Sequence, residues 1–138
     1  MKILGIDWGE KRIGLAISDD LGKMAFEYSV INEWNDSDFI EFLRLLIPKE
    51  DIEKIVVGLP KNMSGEDTDS TQEAREFGAM LENCLSNIEV IFEDERLTTK
   101  MVDKVLRSMN ISQKEAKKRK DMIAAKYILQ SYLDREKQ

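Results

Sequence analysis

A chain of 138 residues, 42% of them hydrophobic, fits one domain and can bury roughly two-thirds of its unfolded surface, which is enough for a core. It carries 21 Lys+Arg against 27 Asp+Glu, no histidine and one cysteine, Cys84, which excludes imidazole-dependent triads, His-based zinc sites and an internal disulfide. No apolar run is long enough to span a membrane, and the N-terminus enters a strand pattern directly, so a cytoplasmic protein with Cys84 packed in or near the core is expected.

The first eighteen residues, MKILGIDWGEKRIGLAIS, organise the rest of the chain. Ile3, Leu4 and Ile6 lead to Asp7 near a strand end, where Gly9 supplies a turn. Ile13, Leu15 and Ile17 alternate with Gly14, Ala16 and Ser18, a second strand joined to the first by Gly9–Arg12 as an antiparallel hairpin. Met24–Ile31 comes after Gly22 as a third strand. Phe39, Phe42, Leu43, Leu46 and Ile47 then recur at helical spacing, with Asn35, Asp36 or Ser37 as cap and Pro48 ending or following the helix. Ile52, Ile55, Val56 and Val57 read as a buried strand entering the Gly58-Leu59-Pro60 turn. A polar loop, Lys61–Ser70, precedes a helix from Glu73 with Ala74, Phe77, Gly78, Leu81 and Leu85 inward, and Ile88–Phe92 forms a fifth strand. Met101 to Met109 is helical and Asn110 closes it; Ser112 to Glu115 can cap another helix, and a final helix runs from Asp121 along the sheet. No repeat or linker divides this order, so residues 1–138 are expected to form a single mixed α/β domain.

Asp7 and Glu95 each end an apolar strand run, where parallel neighbours expose them at one sheet edge. Asp121 starts the final helix on a face continued by Ala125 and Ile128, which can turn it to the same edge. Three converging carboxylates are the hard oxygen ligands that Mg²⁺ or Mn²⁺ prefers, and such ions activate water and stabilise charge in phosphoryl displacement. Two alternatives stay open: Glu93 and Glu95 share one side of their strand, and Asp121 is equally a helix N-cap. Lys11, Arg12, Arg96 and the run Lys117-Lys118-Arg119-Lys120 lie next in sequence to these acids and suit phosphates. Thr98 either caps its helix or donates to a phosphate, and the loop with Asn62, Ser64 and Gly65 shapes a turn for close substrate approach. There is no GxxxxGK[ST] or GxGxxG signature. Trp8 and Trp34 can stack on bases, though packing is the default for both. Residues 96–138 hold 12 Lys+Arg and 5 Asp+Glu against 9 and 22 in residues 1–95, so the C-terminal third can face a polyanion despite the acidic average.

GIDWGEKRIGLAISD, IVVGLPKNMSGEDTDSTQEAREF, FEDERLTT and KKRKDMIAAKYILQSYLD, in that order from Ile3 to Asp134, resemble the YqgF/RuvX family of pre-16S rRNA nucleases, also called Holliday-junction resolvase-like proteins. The resemblance implies a ribonuclease H-like fold, a mixed five-stranded sheet flanked by helices. It also implies metal-dependent phosphodiester hydrolysis, with Asp7, Glu95 and Asp121 as catalytic metal ligands for Mg²⁺ or Mn²⁺; Glu95 is preferred to Glu93 as the acid within DERLTT. Lys11, Arg12, Asn62, Arg96, Thr98, Lys117 and Lys118 are the expected substrate contacts. The expected partner is pre-16S rRNA, alone or in a small-subunit precursor, or branched DNA, bound by a monomer or weak homodimer. Two competing readings are a non-catalytic RNA- or ribosome-binding module of this fold and, last, an ATPase of the sugar-kinase and actin group.

Overall fold

The computed structural model describes residues 1–96 and 98–136. β1 (Lys2–Asp7), β2 (Arg12–Ser18) and β3 (Ala25–Asn32) form the N-terminal meander, followed by α1 (Asp36–Glu50), β4 (Ile52–Leu59), α2 (Asp69–Cys84), β5 (Glu89–Asp94), α3 (Thr98–Ser108) and α4 (Gln113–Glu136). The strands make one five-stranded sheet in the order β3-β2-β1-β4-β5. β1 pairs antiparallel with β2 and parallel with β4, which in turn is parallel to β5. This is the mixed sheet with flanking helices expected from the sequence. Its consequence for function is local: β1, β4 and β5 all end at the same edge, the edge at which open parallel sheets present ligand-binding groups.

Strand alternation divides the core into two layers. Leu4, Ile6, Ile13, Leu15 and Val57 face α1 and α2, meeting Phe39, Leu43, Phe77 and Leu81. Ile3, Ala16 and Val56 face the other way, against Ala125, Ile128, Leu129, Tyr132 and Leu133 of α4. Asp7 has the parity of Ile3, so it is presented to α4. Two glycines let that helix come close. A Cβ on Gly14, the partner of Asp7 in β2, would lie 2.0 Å from the Asp121 carbonyl oxygen, and one on Gly58 would lie 2.5 Å from Ile128. The helix therefore rests almost directly on the strands flanking Asp7.

Four features differ from the sequence expectations. Pro48 lies inside α1, which continues to Glu50; Pro48 and Arg44 are both exposed, so the carbonyl that loses its partner faces water and the interruption is tolerated. α2 begins at Asp69, before Glu73, because Thr68 and Thr71 form a reciprocal capping box, with threonine where Glu or Gln is usual. α4 is one helix of 24 residues from Gln113. Ser112 caps it through the Glu115 N–H at 3.1 Å, which leaves Asp121 in the helix interior and removes its reading as a cap. Cys84 is exposed, since the apolar stripe of α2 that ends in Leu81 turns away from it. Among the described residues no helix is long and apolar enough to cross a membrane.

Candidate active site

The three predicted carboxylates meet at the shared strand edge, each delivered by a different element. Asp7 is the last residue of β1, half-buried beneath α4. Glu95 follows β5, and its N–H donates to the Leu59 carbonyl at 3.1 Å, which fastens the chain to the end of β4. From there its carboxyl group reaches a hydrogen bond with Asp7. Asp121 descends from α4 and accepts from Arg12 Nε at 2.8 Å. Glu93, which strand alternation cannot distinguish from Glu95, is committed elsewhere. Its side chain is buried, accepts from Ser131 Oγ at 2.8 Å and pairs with Arg135 at 2.6 Å, so it anchors β5 to the end of α4.

Proximity and burial change the acidity of the pair. Burial, and then the charge of Asp121, pushes the Asp7 carboxyl up to about 7, although Glu95 and Lys120 pull against this. Burial, and then the charge of Asp7, pushes Glu95 up to about 9. The two groups titrate together and hold a proton between them near neutrality. Among the described residues, no three acidic side chains close into a ready-made ligand cage; Asp121 is turned toward Arg12 while Asp7 and Glu95 face each other. The donor set nonetheless fits a hard divalent cation. It consists of carboxylate oxygens, and two of these groups are buried beside another acid, so that a bound cation would offset their mutual repulsion.

A cleft of about 390 Å³ opens over Asp7, Glu95 and Asp121 and is also lined by Lys61, Arg96, Thr98 and Lys120. Arg96 is braced by Asp94 at 2.6 Å and lies against Gly65, whose φ of +88° forms the preceding loop's turn. Thr98 is buried, and its N–H donates to the Glu95 carbonyl at 2.9 Å. Of the expected substrate contacts, Arg96 and Thr98 therefore line the cleft, and Arg12 joins it through Asp121. Lys11, Lys117 and Lys118 are exposed and outside its lining. Asn62 spends its side-chain oxygen on the N–H groups of Ser64 and Glu66, at 3.1 and 2.8 Å, so it builds the loop.

Several participants are not distinguished by the sequence alone. The basic run fans around α4 at about 100° per residue, so Lys120 enters the cleft while Arg119 turns to Glu27 of β3 at 3.0 Å. Lys61, directly after the turn ending β4, looks in sequence like no more than the start of a loop. Gly14 and Gly58 look like strand alternation and a turn; glycine inside a strand is the signal of close backbone approach that could have found them. Trp34 donates to the Gly9 carbonyl at 3.0 Å, so packing accounts for its ring, whereas Trp8 packs 6.2 Å from Phe77 and also lines the cleft.

Comparison with known proteins identifies the family. The family model RuvX, described as Holliday junction resolvase, matches residues 1–135. A protein of Clostridium botulinum (strain Alaska E43 / Type E3) named "Putative pre-16S rRNA nuclease" is 45% identical over 135 residues, covering 98% of each chain. One of the same name from Syntrophomonas wolfei is 42% identical, covering 97% of this chain and 94% of the other. Among solved structures, the Fowlpox virus resolvase in complex with substrate Holliday junction DNA superposes with a TM-score of 0.60 at 12% identity over 100% of both chains. T. thermophilus RuvC in complex with a Holliday junction substrate gives 0.54 at 11% identity, over 99% of this chain and 96% of that one. These two likenesses place the chain in the ribonuclease H-like fold, and the full-length match to the family model, with relatives above 40% identity, makes it a member of the RuvX family.

Proposed function

We propose that this protein is a divalent-metal-dependent endonuclease that hydrolyses phosphodiester bonds while the 5′ end of pre-16S rRNA matures in the cytoplasm; its relatives are named for nuclease action on pre-16S rRNA. The observation that carries the reading is the meeting of Asp7, Glu95 and Asp121 in one cleft flanked by Lys61, Arg96 and Lys120. Asp7, Glu95 and Asp121 would hold Mg²⁺ or Mn²⁺, and the ion supplies activation of water and neutralisation of developing phosphoryl charge. The remaining work falls to the chain. Lys120 favours the ionised form of Asp7. Arg96, held by Asp94, offers a planar guanidinium to a phosphate at the mouth. The proton shared by Asp7 and Glu95 would have to leave before both could hold the ion as anions.

The path of the strand is set by charge. Glu10 and Glu73 line the cleft and also a neighbouring hollow with Asp36 and Glu76. A polyanion is repelled on that flank and drawn toward Lys61, Arg96 and Lys120. Branched DNA is the second substrate reading, favoured by the description of the matching family.

The test compares wild type with Asp7→Asn on precursor 16S RNA, free and within a small-subunit particle, and on a four-way DNA junction, each in Mn²⁺ and in EDTA. Cleavage of the RNA by wild type alone, abolished by EDTA, is expected. Equal cleavage by both proteins would locate the activity elsewhere, and cutting of only the junction would transfer the assignment to DNA. Binding of the particle without cleavage in any condition would replace the nuclease by a binding module.

A further inference from the structure

We infer that Arg12 is a positioning residue that stands in for the metal at Asp121 and is exchanged for it, so that metal arrival releases a guanidinium to the substrate phosphate. This rests on the metal-binding reading of the three carboxylates. Arg12 opens β2, and its Nε lies 2.8 Å from Asp121 Oδ2 across 109 positions of sequence. The Arg12 side chain is 45% exposed and that of Asp121 16%, so the contact joins an exposed cation to a largely covered acid. It forms where α4 rests on Gly14, two residues along the same strand. Asp121 is thus held at its post by the strand that carries Arg12.

The arrangement reflects balance of charge. Asp7 and Asp121 repel each other, and the Asp121 carboxylate is turned to Arg12. A neighbouring cation must compensate this repulsion when no metal is bound. The guanidinium does so through one charge-assisted hydrogen bond, strong enough to orient the acid and weak enough for a divalent ion to displace. The freed Arg12 remains at the cleft, with its always-charged fork suited to a phosphate oxygen. Lys120 acts differently. It favours the ionised form of Asp7 through its field, and no ion pair between Lys120 and an acid is found among the described residues.

Isothermal titration of Mn²⁺ alone, in the absence of nucleic acid, tests the exchange with wild type, Arg12→Ala, Arg12→Lys and Lys120→Ala. Because Arg12 competes for Asp121, Arg12→Ala should bind Mn²⁺ about tenfold more tightly than wild type, equivalent to about 1.4 kcal/mol. Lys120→Ala, which removes only a nearby charge, should gain clearly less. Arg12→Lys should fall between wild type and Arg12→Ala. Melting in EDTA checks folding, and Arg12→Ala should lose stability there and recover it on adding Mn²⁺. A second readout is the salt dependence of binding to single-stranded RNA, with Ca²⁺ as the probe ion. Wild type should steepen by one phosphate contact, a slope change of about 0.7, relative to Arg12→Ala. Equal Mn²⁺ affinity in wild type and Arg12→Ala, or an equal gain in Lys120→Ala, overturns the exchange and leaves the metal site standing. If none of the four binds Mn²⁺, the metal-binding reading itself falls and the exchange falls with it.

Discussion

Replacing Gly14 by alanine tests whether the placement of α4 sets the chemistry. The added Cβ would lie 2.0 Å from the Asp121 carbonyl oxygen, 2.4 Å from its carbonyl carbon and 2.9 Å from its Cβ. Two of these are backbone atoms and cannot rotate aside, so the helix must recede by about 1 Å or more to restore ordinary contact. Ala125, Ile128 and Leu129 hold α4 to the sheet farther along, so the displacement concentrates at Asp121. Overpacking of this kind costs about 1–3 kcal/mol, which a domain of ordinary stability survives. Displacement of a reacting group by about 1 Å costs on the order of a hundredfold in rate. Gly5→Ala is the matched control: its Cβ would meet Leu129 Cβ at 2.7 Å and the Ala125 carbonyl at 3.1 Å, under the same helix and past the site. Urea unfolding gives the folded fraction, and metal-dependent RNA cleavage per folded molecule gives the functional loss. Gly14→Ala should fall about a hundredfold by that measure and Gly5→Ala less than about fivefold. Wild-type stability and activity in Gly14→Ala, or equal losses in the two variants, would refute the reasoning.

The acids, the loop and the acidic flank each carry a further expected outcome. In the folded protein Asp7 is raised to about 7 and Glu95 to about 9, so the fold retains protons that the unfolded chain has released. Their contribution to stability is complete below about pH 4 and is lost as pH rises through 7 to 9. In EDTA, Asp7→Asn should accordingly melt higher than wild type at pH 8, by roughly 1–3 kcal/mol, with the difference shrinking as pH falls and gone below about pH 4. A difference independent of pH would contradict the shared proton. Thr71 is fully buried, caps α2 through Thr68 and donates to the Pro60 carbonyl. Thr71→Val should cost about 1–3 kcal/mol in urea unfolding and leave Mn²⁺ affinity unchanged in titration; unchanged stability would show that these bonds contribute little. Glu76 is exposed on the acidic flank, and Glu76→Lys should tighten single-stranded RNA binding about threefold at low salt in an anisotropy titration. No change would mean that the strand does not feel this flank.

The fold was legible where one period ran long enough to be counted. Ile13, Leu15 and Ile17 mark β2, and Phe39, Leu43 and Leu46 mark the buried face of α1. Boundaries were obscured where a side-chain bond decides them. The threonine capping box opens α2 before its apolar pattern begins, and Pro48 continues α1 because the orphaned carbonyl meets solvent. The meeting of Asp7, Glu95 and Asp121 needs strand order and helix placement, neither of which periodicity contains. Arg119 and Lys120 are adjacent in sequence and serve different partners, because a helix turns neighbouring residues about 100° apart. Strand alternation alone leaves Glu93 and Glu95 equivalent; the resemblance favours Glu95, and the contacts of Glu93 with Ser131 and Arg135 on α4 show where the other acid goes.

Several of the cations in and around the cleft are already paired with acids. Arg12 is bound to Asp121, Arg96 to Asp94, Arg119 to Glu27 and Lys61 to Asp67, the last at 3.4 Å. A phosphate approaching these groups must displace a carboxylate before it gains a contact, so the net attraction per cation is smaller than for a free one. The surface beyond the cleft adds to the discrimination, since Glu10, Asp36, Glu73 and Glu76 repel a strand that arrives from their side. A strand arriving from the side of Lys61, Arg96 and Lys120 meets the least opposition.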